Sequence, residues 1–450
     1  MSKYNSESSA RVLEPGERLG EAVSIDTAAE PSRRGHVDLQ FLILTVILLA
    51  VGLVMLFSAS FANAYYEAND ALNVFRAQLG FAVLGVVAIA AVSIIPVSSL
   101  KRISLRKLAM PALLISMLLL ALTIPAIHFP LAITNNNARR WLGVNGFSFQ
   151  PSEVAKLGLI LGFAHMMCKR GRSLYFGRGR AAQMRSFTRK LGVFTRELAP
   201  FALILLLMAG MLLSEPHTSA TIIIIAIAAI MLFADGLDIR LIIFIVLTVV
   251  LAAVFVIMKA ERMFQVSSLA LANGEMTLTE FRASFGDYQL KRIVFWLHPE
   301  ADPQGGGYQI LQSLYAVGSG GLLGQGFGQS RQKFFYLPEE HNDYIFAIVC
   351  EELGFIGAFL IVVIFALLII RGFWIAMHAR DKFSSLVVIG IMGMLAVQVA
   401  LNIAVVTNTL PCTGISLPFF SYGGTALLIQ LVEMGIVLSV SRDMPIMKGG

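Results

Sequence analysis

The sequence predicts an all-α polytopic membrane protein of about ten transmembrane helices, with a large extracytoplasmic loop between spans seven and eight. Three observations carry this prediction. Of 450 residues, 57% are apolar and only 14% are charged, whereas a soluble globular chain carries roughly 25% charged residues. Apolar runs of the ~20 residues needed to cross a bilayer recur along the whole chain. The basic residues fall on alternate connections between those runs, the pattern of the positive-inside rule. A soluble enzyme is excluded. The net charge of +7, with no clustered basic and aromatic surface, also excludes a dedicated nucleic-acid binder.

The polar stretch Met1–Gly35 has no basic n-region leading into an apolar core and cleavage site, so residues 1–37 are expected to be a retained, disordered cytoplasmic tail. Residues 38–450 form the membrane domain. Its spans are expected at about 39–60, 75–97, 109–128, 150–168, 198–213, 218–234, 240–258, 343–370, 384–407 and 422–441. The fifth is short, and Pro216 suits a tight hairpin into the sixth. Pro151 suits the first position of the fourth helix, where its missing N–H costs nothing.

Orientation follows from charge. Arg33 and Arg34 precede the first span, and Lys101, Arg102, Arg106 and Lys107 follow the second. Nine Lys and Arg residues lie between Lys169 and Arg196. Arg240, Arg371, Arg380, Lys382, Arg442 and Lys448 complete the set. All lie on one side if both termini are cytoplasmic. The 169–196 run reads first as a topological anchor, with lipid-headgroup or partner contact as the alternative. Segments 129–149, 259–342 and 408–421 then lie outside, where chemistry has no access to ATP.

Cys168, Cys350 and Cys412 form no CxxC pair, and no two histidines have ligand spacing, so neither a disulfide framework nor a protein-held metal site is expected. The outer segments carry the chemistry-bearing residues. Asp302 precedes Pro303, which pushes it towards an extended conformation. Near Lys291 or Arg292 such a carboxylate serves as a general base or as an ordinary turn starter. The glycines from Gly305 to Gly328 match neither nucleotide-binding pattern. They suit a backbone that lets a phosphate or sugar approach main-chain N–H groups. Gln309 lies among them, two residues after Gly307.

Arg139 and Arg140 oppose the positive-inside bias, and an anionic headgroup such as a pyrophosphate is a local reason for them. Trp141 and Gln150 lie beside them in sequence. Glu153 and Lys156 share one helical face at i,i+3. They read as a functional site or as an internal ion pair. Glu351, Glu352, Glu433, Gln398 and Asn402 fall in spans and must face protein or a water-filled cavity. Helix–helix glue is the expected role, with proton relay as the alternative.

Three motifs give the chain a resemblance. They are ARRW with QPSEVAK at Ala138–Trp141 and Gln150–Lys156, HPEADPQGGGYQILQS with GSGGLLGQGFGQS at His298–Ser313 and Gly318–Ser330, and PCTGISLPFFSYGGTA at Pro411–Ala426, preceded by Asn402. The chain resembles the FtsW/RodA (SEDS) family from the first span to the last. The resemblance implies a ten-span fold with cytoplasmic termini in the bacterial cytoplasmic membrane. It also implies peptidoglycan glycosyltransferase activity, polymerising lipid II at the outer face. The family's essential aspartate corresponds to Asp302, and its functional polar cluster to Arg140, Trp141, Gln150, Glu153 and Lys156. Arg292 and Gln309 are further expected substrate contacts. The implied partners are a class B penicillin-binding protein and other division proteins, besides membrane lipids. No particular cofactor is implied, and a divalent cation (Mg or Mn) would suit a departing pyrophosphate. The polar tail and the GISLPFFSYGG ending look closest to the division branch, FtsW. A sporulation or elongation paralogue, a lipid II flippase and a non-catalytic scaffold are the other readings.

Overall fold

The computed structural model describes residues 35–97, 104–125, 127, 129–135, 138–144, 147–170, 187–215, 217–236, 239–286 and 288–444. Residues 1–34 of the expected tail, Lys101 and Arg102, Asn136 and Asn137, and the basic stretch 171–186 lie outside these. Each of the ten expected spans is helical: α1 Leu39–Ala68, α2 Asn73–Ile94, α3 Leu105–Thr123, α4 Pro151–Arg170, α5 Phe187–Ser214, α6 Thr218–Ala234, α7 Ile239–Ala272, α11 Ile345–Met377, α12 Lys382–Val406 and α13 Gly424–Arg442. Among the described residues, α1, α2, α3, α11, α12 and α13 are long and apolar enough to cross a membrane. Leu198–Ser214 and Thr218–Ala234 are shorter apolar helices. Among these six, α12 and α13 are the most enclosed, with apolar windows 67% and 72% buried against 22–44% for the other four.

Helix limits follow local chemistry. Asp38 caps α1 by accepting the Phe41 N–H at 2.9 Å. Asp381 does the same for α12 through Phe383 and Ser384. The two described ends of the chain meet at one end of the bundle. There the Gly35 N–H donates to the Arg442 carbonyl at 2.9 Å, and Arg371 grips Asp38 at 2.6 Å. The other end carries the segments expected to be extracytoplasmic and is called here the loop end.

Two expectations are corrected there. The chain is not all-α, because residues 132–135, 138–144 and 147–149 form a three-stranded antiparallel sheet. It consists of β1 Ala132–Asn135, β2 Ala138–Val144 and β3 Phe147–Phe149, with Ile133 opposite Trp141 and Leu142 opposite Phe149. Asn145-Gly146, between the last two strands in sequence, is a strong hairpin signal. Nor is 259–342 simply a loop. The 34 residues of α7 span ~51 Å at 1.5 Å per residue, well beyond a hydrocarbon core of ~30 Å. Helices α8 Leu278–Ser284, α9 Tyr288–Leu297 and α10 Tyr308–Ser319 follow. Ala260 of α7, Phe281 and Phe285 around α8, and Val294 and Phe295 of α9 bury one another in a small separate core.

Candidate functional site

The site begins where the sheet hands the chain to α4. Pro151 opens that helix as expected, and the Gln150 carbonyl accepts the Glu153 N–H at 3.1 Å. One turn in, Lys156 Nζ lies 2.7 Å from a Glu153 carboxylate oxygen, the internal ion pair that the i,i+3 spacing allowed. Arg140 and Trp141, half-buried on β2, sit above this helix start. Arg140 Nε donates to the Glu215 carbonyl at 3.2 Å in the turn between α5 and α6. Burial pushes the Glu215 carboxyl up to about 7, against the Thr123 hydroxyl and Arg140. Burial pulls His217 down to about 3, aided by Arg140 and then Lys156, so its ring is neutral.

A second wall is the turn after α12. Asn402 Nδ2 donates to the carbonyls of Asp343 and Ile415, at 2.8 and 2.7 Å. Ser219 at the start of α6 donates to the Thr413 carbonyl. Helix α9 lies across the same turn: Arg292 Nη1 donates to the Cys412 carbonyl at 3.1 Å, and Trp296 Nε1 to the Asn408 carbonyl at 3.0 Å. Asn408 can turn there because it adopts a left-handed φ of 54°. Asp343 lies against this turn. Desolvation, then the Glu339 carboxylate, push its carboxyl up to about 6, with Arg292 and Arg140 opposing. Arg140, Lys156 and Arg292 thus converge from three separate elements. Beside them, His217 Nδ1, Thr413 Oγ1 and Asn402 Oδ1 are buried with no hydrogen-bond partner among the described residues; these atoms suit a polar ligand and the three cations an anionic one.

Asp302 sits apart from that cluster, with φ −143° and ψ 73° at the end of the short 3₁₀ turn Pro299–Ala301. Among the described contacts its partner is not one of its expected neighbours, Lys291 and Arg292. Arg282 of α8 takes that place, with Nε 2.7 Å from Oδ2 and Nη2 2.6 Å from Oδ1. The Arg282 guanidinium, assisted by the Gly306 and Gly305 N–H groups, holds the Asp302 carboxyl below the usual carboxylate range despite its burial. The glycines following it were expected to offer N–H groups to a ligand. At 305–307 they turn inwards instead: Gly306 N–H donates to Asp302 Oδ2 at 2.9 Å, and the Gly305 and Gly307 N–H groups donate to its carbonyl at 3.2 and 3.1 Å. Helix α9, ~15 Å long at 1.5 Å per residue, connects this centre to the basic one.

Gln309 Nε2 reaches the Pro338 carbonyl at 3.2 Å, tying α10 to the following turn. The glutamates in α11 act as glue. Glu351 accepts from Ser330 Oγ at 2.5 Å and the Arg331 N–H at 2.9 Å. Glu352 meets Lys333 Nζ at 2.9 Å and Ser58 Oγ at 2.7 Å. Sequence reasoning missed Arg282, Glu215 and Asp343 as members of the site. For Arg282 the one local signal is the Thr277/Glu280 capping box that opens α8.

A sequence model of the FtsW/RodA/SpoVE family, described as cell cycle protein, matches residues 39–445. Stage V sporulation protein E of Bacillus subtilis (strain 168) is 37% identical over 405 residues, which cover 90% of this chain and 97% of that protein. A probable peptidoglycan glycosyltransferase FtsW of Trichlorobacter lovleyi is 34% identical over 420 residues, 93% of this chain and 97% of that one. Among solved structures, a chain of a peptidoglycan synthase complex that coordinates polymerization and crosslinking superposes with a TM-score of 0.64. It shares 27% identity and covers 90% of this chain and 98% of that chain. The rod shape determining protein RodA of Thermus thermophilus gives 0.57 at 25% identity, covering 91% of this chain and 97% of that chain.

Proposed function

The chain belongs to the FtsW/RodA/SpoVE family of cell cycle proteins, and on that premise we propose that it is a peptidoglycan glycosyltransferase, polymerising lipid II at the outer face of the cytoplasmic membrane. The observation that carries the proposal is the end-to-end likeness to a probable peptidoglycan glycosyltransferase, 97% of which is covered. In this reading Asp302 takes the proton from the acceptor 4-hydroxyl. The oxygen attacks the donor anomeric carbon with inversion, and the bond to the lipid pyrophosphate breaks. Arg140, Lys156 and Arg292, beside the buried polar atoms of His217, Asn402 and Thr413, receive the negative charge of the departing pyrophosphate. Trp141, Gln150 and Glu153, beside Arg140 and Lys156 in the sequence, and Gln309 of α10 are the further substrate contacts in this reading. Among the described residues no group of three or more His, Cys, Asp or Glu side chains is placed to hold a metal ion.

A class B penicillin-binding protein is the proposed partner, and septal wall synthesis during division the proposed setting. The 37% identity to a sporulation protein favours a second reading, in which the same chemistry serves sporulation. Incubating lipid II with the purified protein and its transpeptidase partner tests the activity. Wild type yields glycan polymer, and Asp302→Asn loses about 10²–10⁴ of the rate, as expected on removing a general base. Full polymerisation by Asp302→Asn defeats the assignment, and lipid translocation in vesicles without polymer identifies a flippase. Depletion in growing cells separates a division block from a defect confined to spores.

A further inference from the structure

We propose that Arg282 is the positioning residue of the transfer reaction, fixing the Asp302 carboxylate so that Oδ1 is the oxygen presented to the acceptor hydroxyl. The inference rests on the reading of Asp302 as the base. Asp302 is 2% exposed, so its orientation is set by protein contacts rather than water. Oδ2 accepts from both Arg282 Nε at 2.7 Å and the Gly306 N–H at 2.9 Å, which occupies its two lone pairs. Oδ1 accepts from Arg282 Nη2 at 2.6 Å; the Gly305 N–H, which also favours the charged carboxyl, approaches from the Oδ2 side, where a Cβ on Gly305 would collide, so Oδ1 keeps a lone pair for the incoming hydroxyl. The planar fork of a guanidinium fixes the plane of a carboxylate in a way that a lysine ammonium cannot.

The surroundings hold the fork in place. Arg282 projects from α8, whose Phe281 and the following Phe285 are anchored in the small core against α7 and α9. The first turn of α8 is locked by the reciprocal Thr277–Glu280 capping box. Gly305 lies against the pair, and a Cβ there would collide with Asp302 Oδ2 and come within 2.7 Å of Arg282 Nη2. The guanidinium also keeps the buried carboxyl ionised. Without it, burial acts unopposed by a cation and the carboxyl takes up a proton at higher pH. Arg282 therefore gives Asp302 both its charge state and its direction.

The test is polymerisation of lipid II by the full-length protein with its transpeptidase partner, between about pH 5 and pH 9, for wild type, Arg282→Gln, Arg282→Lys, Asp302→Asn and Thr277→Ala. Arg282→Gln is expected to lower kcat about 10²-fold with little change in KM, and to move the acid limb of the pH profile to higher pH. Arg282→Lys restores the acid limb but not the full kcat, because it returns the charge without the fork. Thr277→Ala lowers the melting temperature and leaves the limb in place. An unshifted limb in Arg282→Gln, with Asp302→Asn inactive, overturns the role of Arg282 alone. Should Arg282→Gln not fold, a wild-type kcat in Arg282→Lys overturns it equally. An active Asp302→Asn instead removes the underlying reading of the base.

Discussion

Lys156 and Glu153 form an ion pair one turn into α4, 2.7 Å apart, with 3% and 12% of their side chains exposed. Neither charge has water enough to stand alone. Removing one partner of a buried pair typically costs 3–5 kcal/mol, roughly the penalty of stranding the other charge. Glu153→Ala and Lys156→Ala are each expected to lower stability by about that much. The double variant should cost clearly less than the sum. Thermal unfolding in detergent of the four proteins measures this. Additive losses would mean that the two side chains act independently.

Lys333 ties three parts of the chain together. Its ammonium donates to Glu352 at 2.9 Å, to Ser58 of α1 at 3.2 Å and to the Gly328 carbonyl at 2.7 Å. Since Lys333 is 3% exposed, Lys333→Ala leaves Glu352 buried without its cation. The stretch between α10 and α11 should then open more easily, by about 3 kcal/mol. Hydrogen exchange should be faster at Gln325 and Gly326, whose N–H groups bond the Glu351 and Glu352 carbonyls. Unchanged exchange there would show that these backbone bonds hold the segment without Lys333.

Contacts close in sequence were the legible ones. Twenty-residue apolar runs announce helices, and i,i+3 spacing announced Glu153–Lys156. Asp302 stood out through its proline, but its partner Arg282 lies 20 residues away on another short helix, and no periodicity links the two. Lys333 and Ser58 are 275 positions apart, beyond the reach of any local pattern. Strands of three to seven residues are also too short to compete with neighbouring spans in a hydropathy reading. The membrane architecture was therefore readable from composition, while the pairing at the loop end depends on tertiary packing.

Glu215 gives a pH dependence of definite sign. Burial raises its carboxyl from the ordinary 4.5 to about 7 in the folded protein. The folded state thus binds this proton more tightly than the unfolded state does. The associated stability is full below the unfolded value and is lost as pH rises through about 7. A shift of that size corresponds to at most about 3.4 kcal/mol. Glu215→Gln cannot titrate, so its stability should decline less than wild type between about pH 5 and pH 7. Parallel curves for the two proteins would show that Glu215 is ionised in the fold throughout.

Gly354 interrupts α11 with φ 67° and ψ −172°, a region that is essentially glycine's alone and costs another residue on the order of 2 kcal/mol. Space is as restrictive as the dihedral. A Cβ on Gly354 would strike the Gly324 nitrogen, and one on Gly324 (φ 79°) would strike the Glu352 carbonyl. The two glycines let the loop backbone lie directly on the helix, where the Phe355 N–H bonds the Gly321 carbonyl at 2.9 Å. Because backbone cannot rotate away as a side chain can, Gly354→Ala should cost more than the dihedral alone, above about 2 kcal/mol. Gly210→Ala in α5 is the matched comparison. Nothing lies within 4 Å of its Cβ position, and helix propensity there favours alanine by up to about 1 kcal/mol. Melting temperatures should therefore fall for the first variant and hold or rise for the second. Equal melting for both would mean that the helix and loop separate at the Gly324–Gly354 contact without loss to the fold.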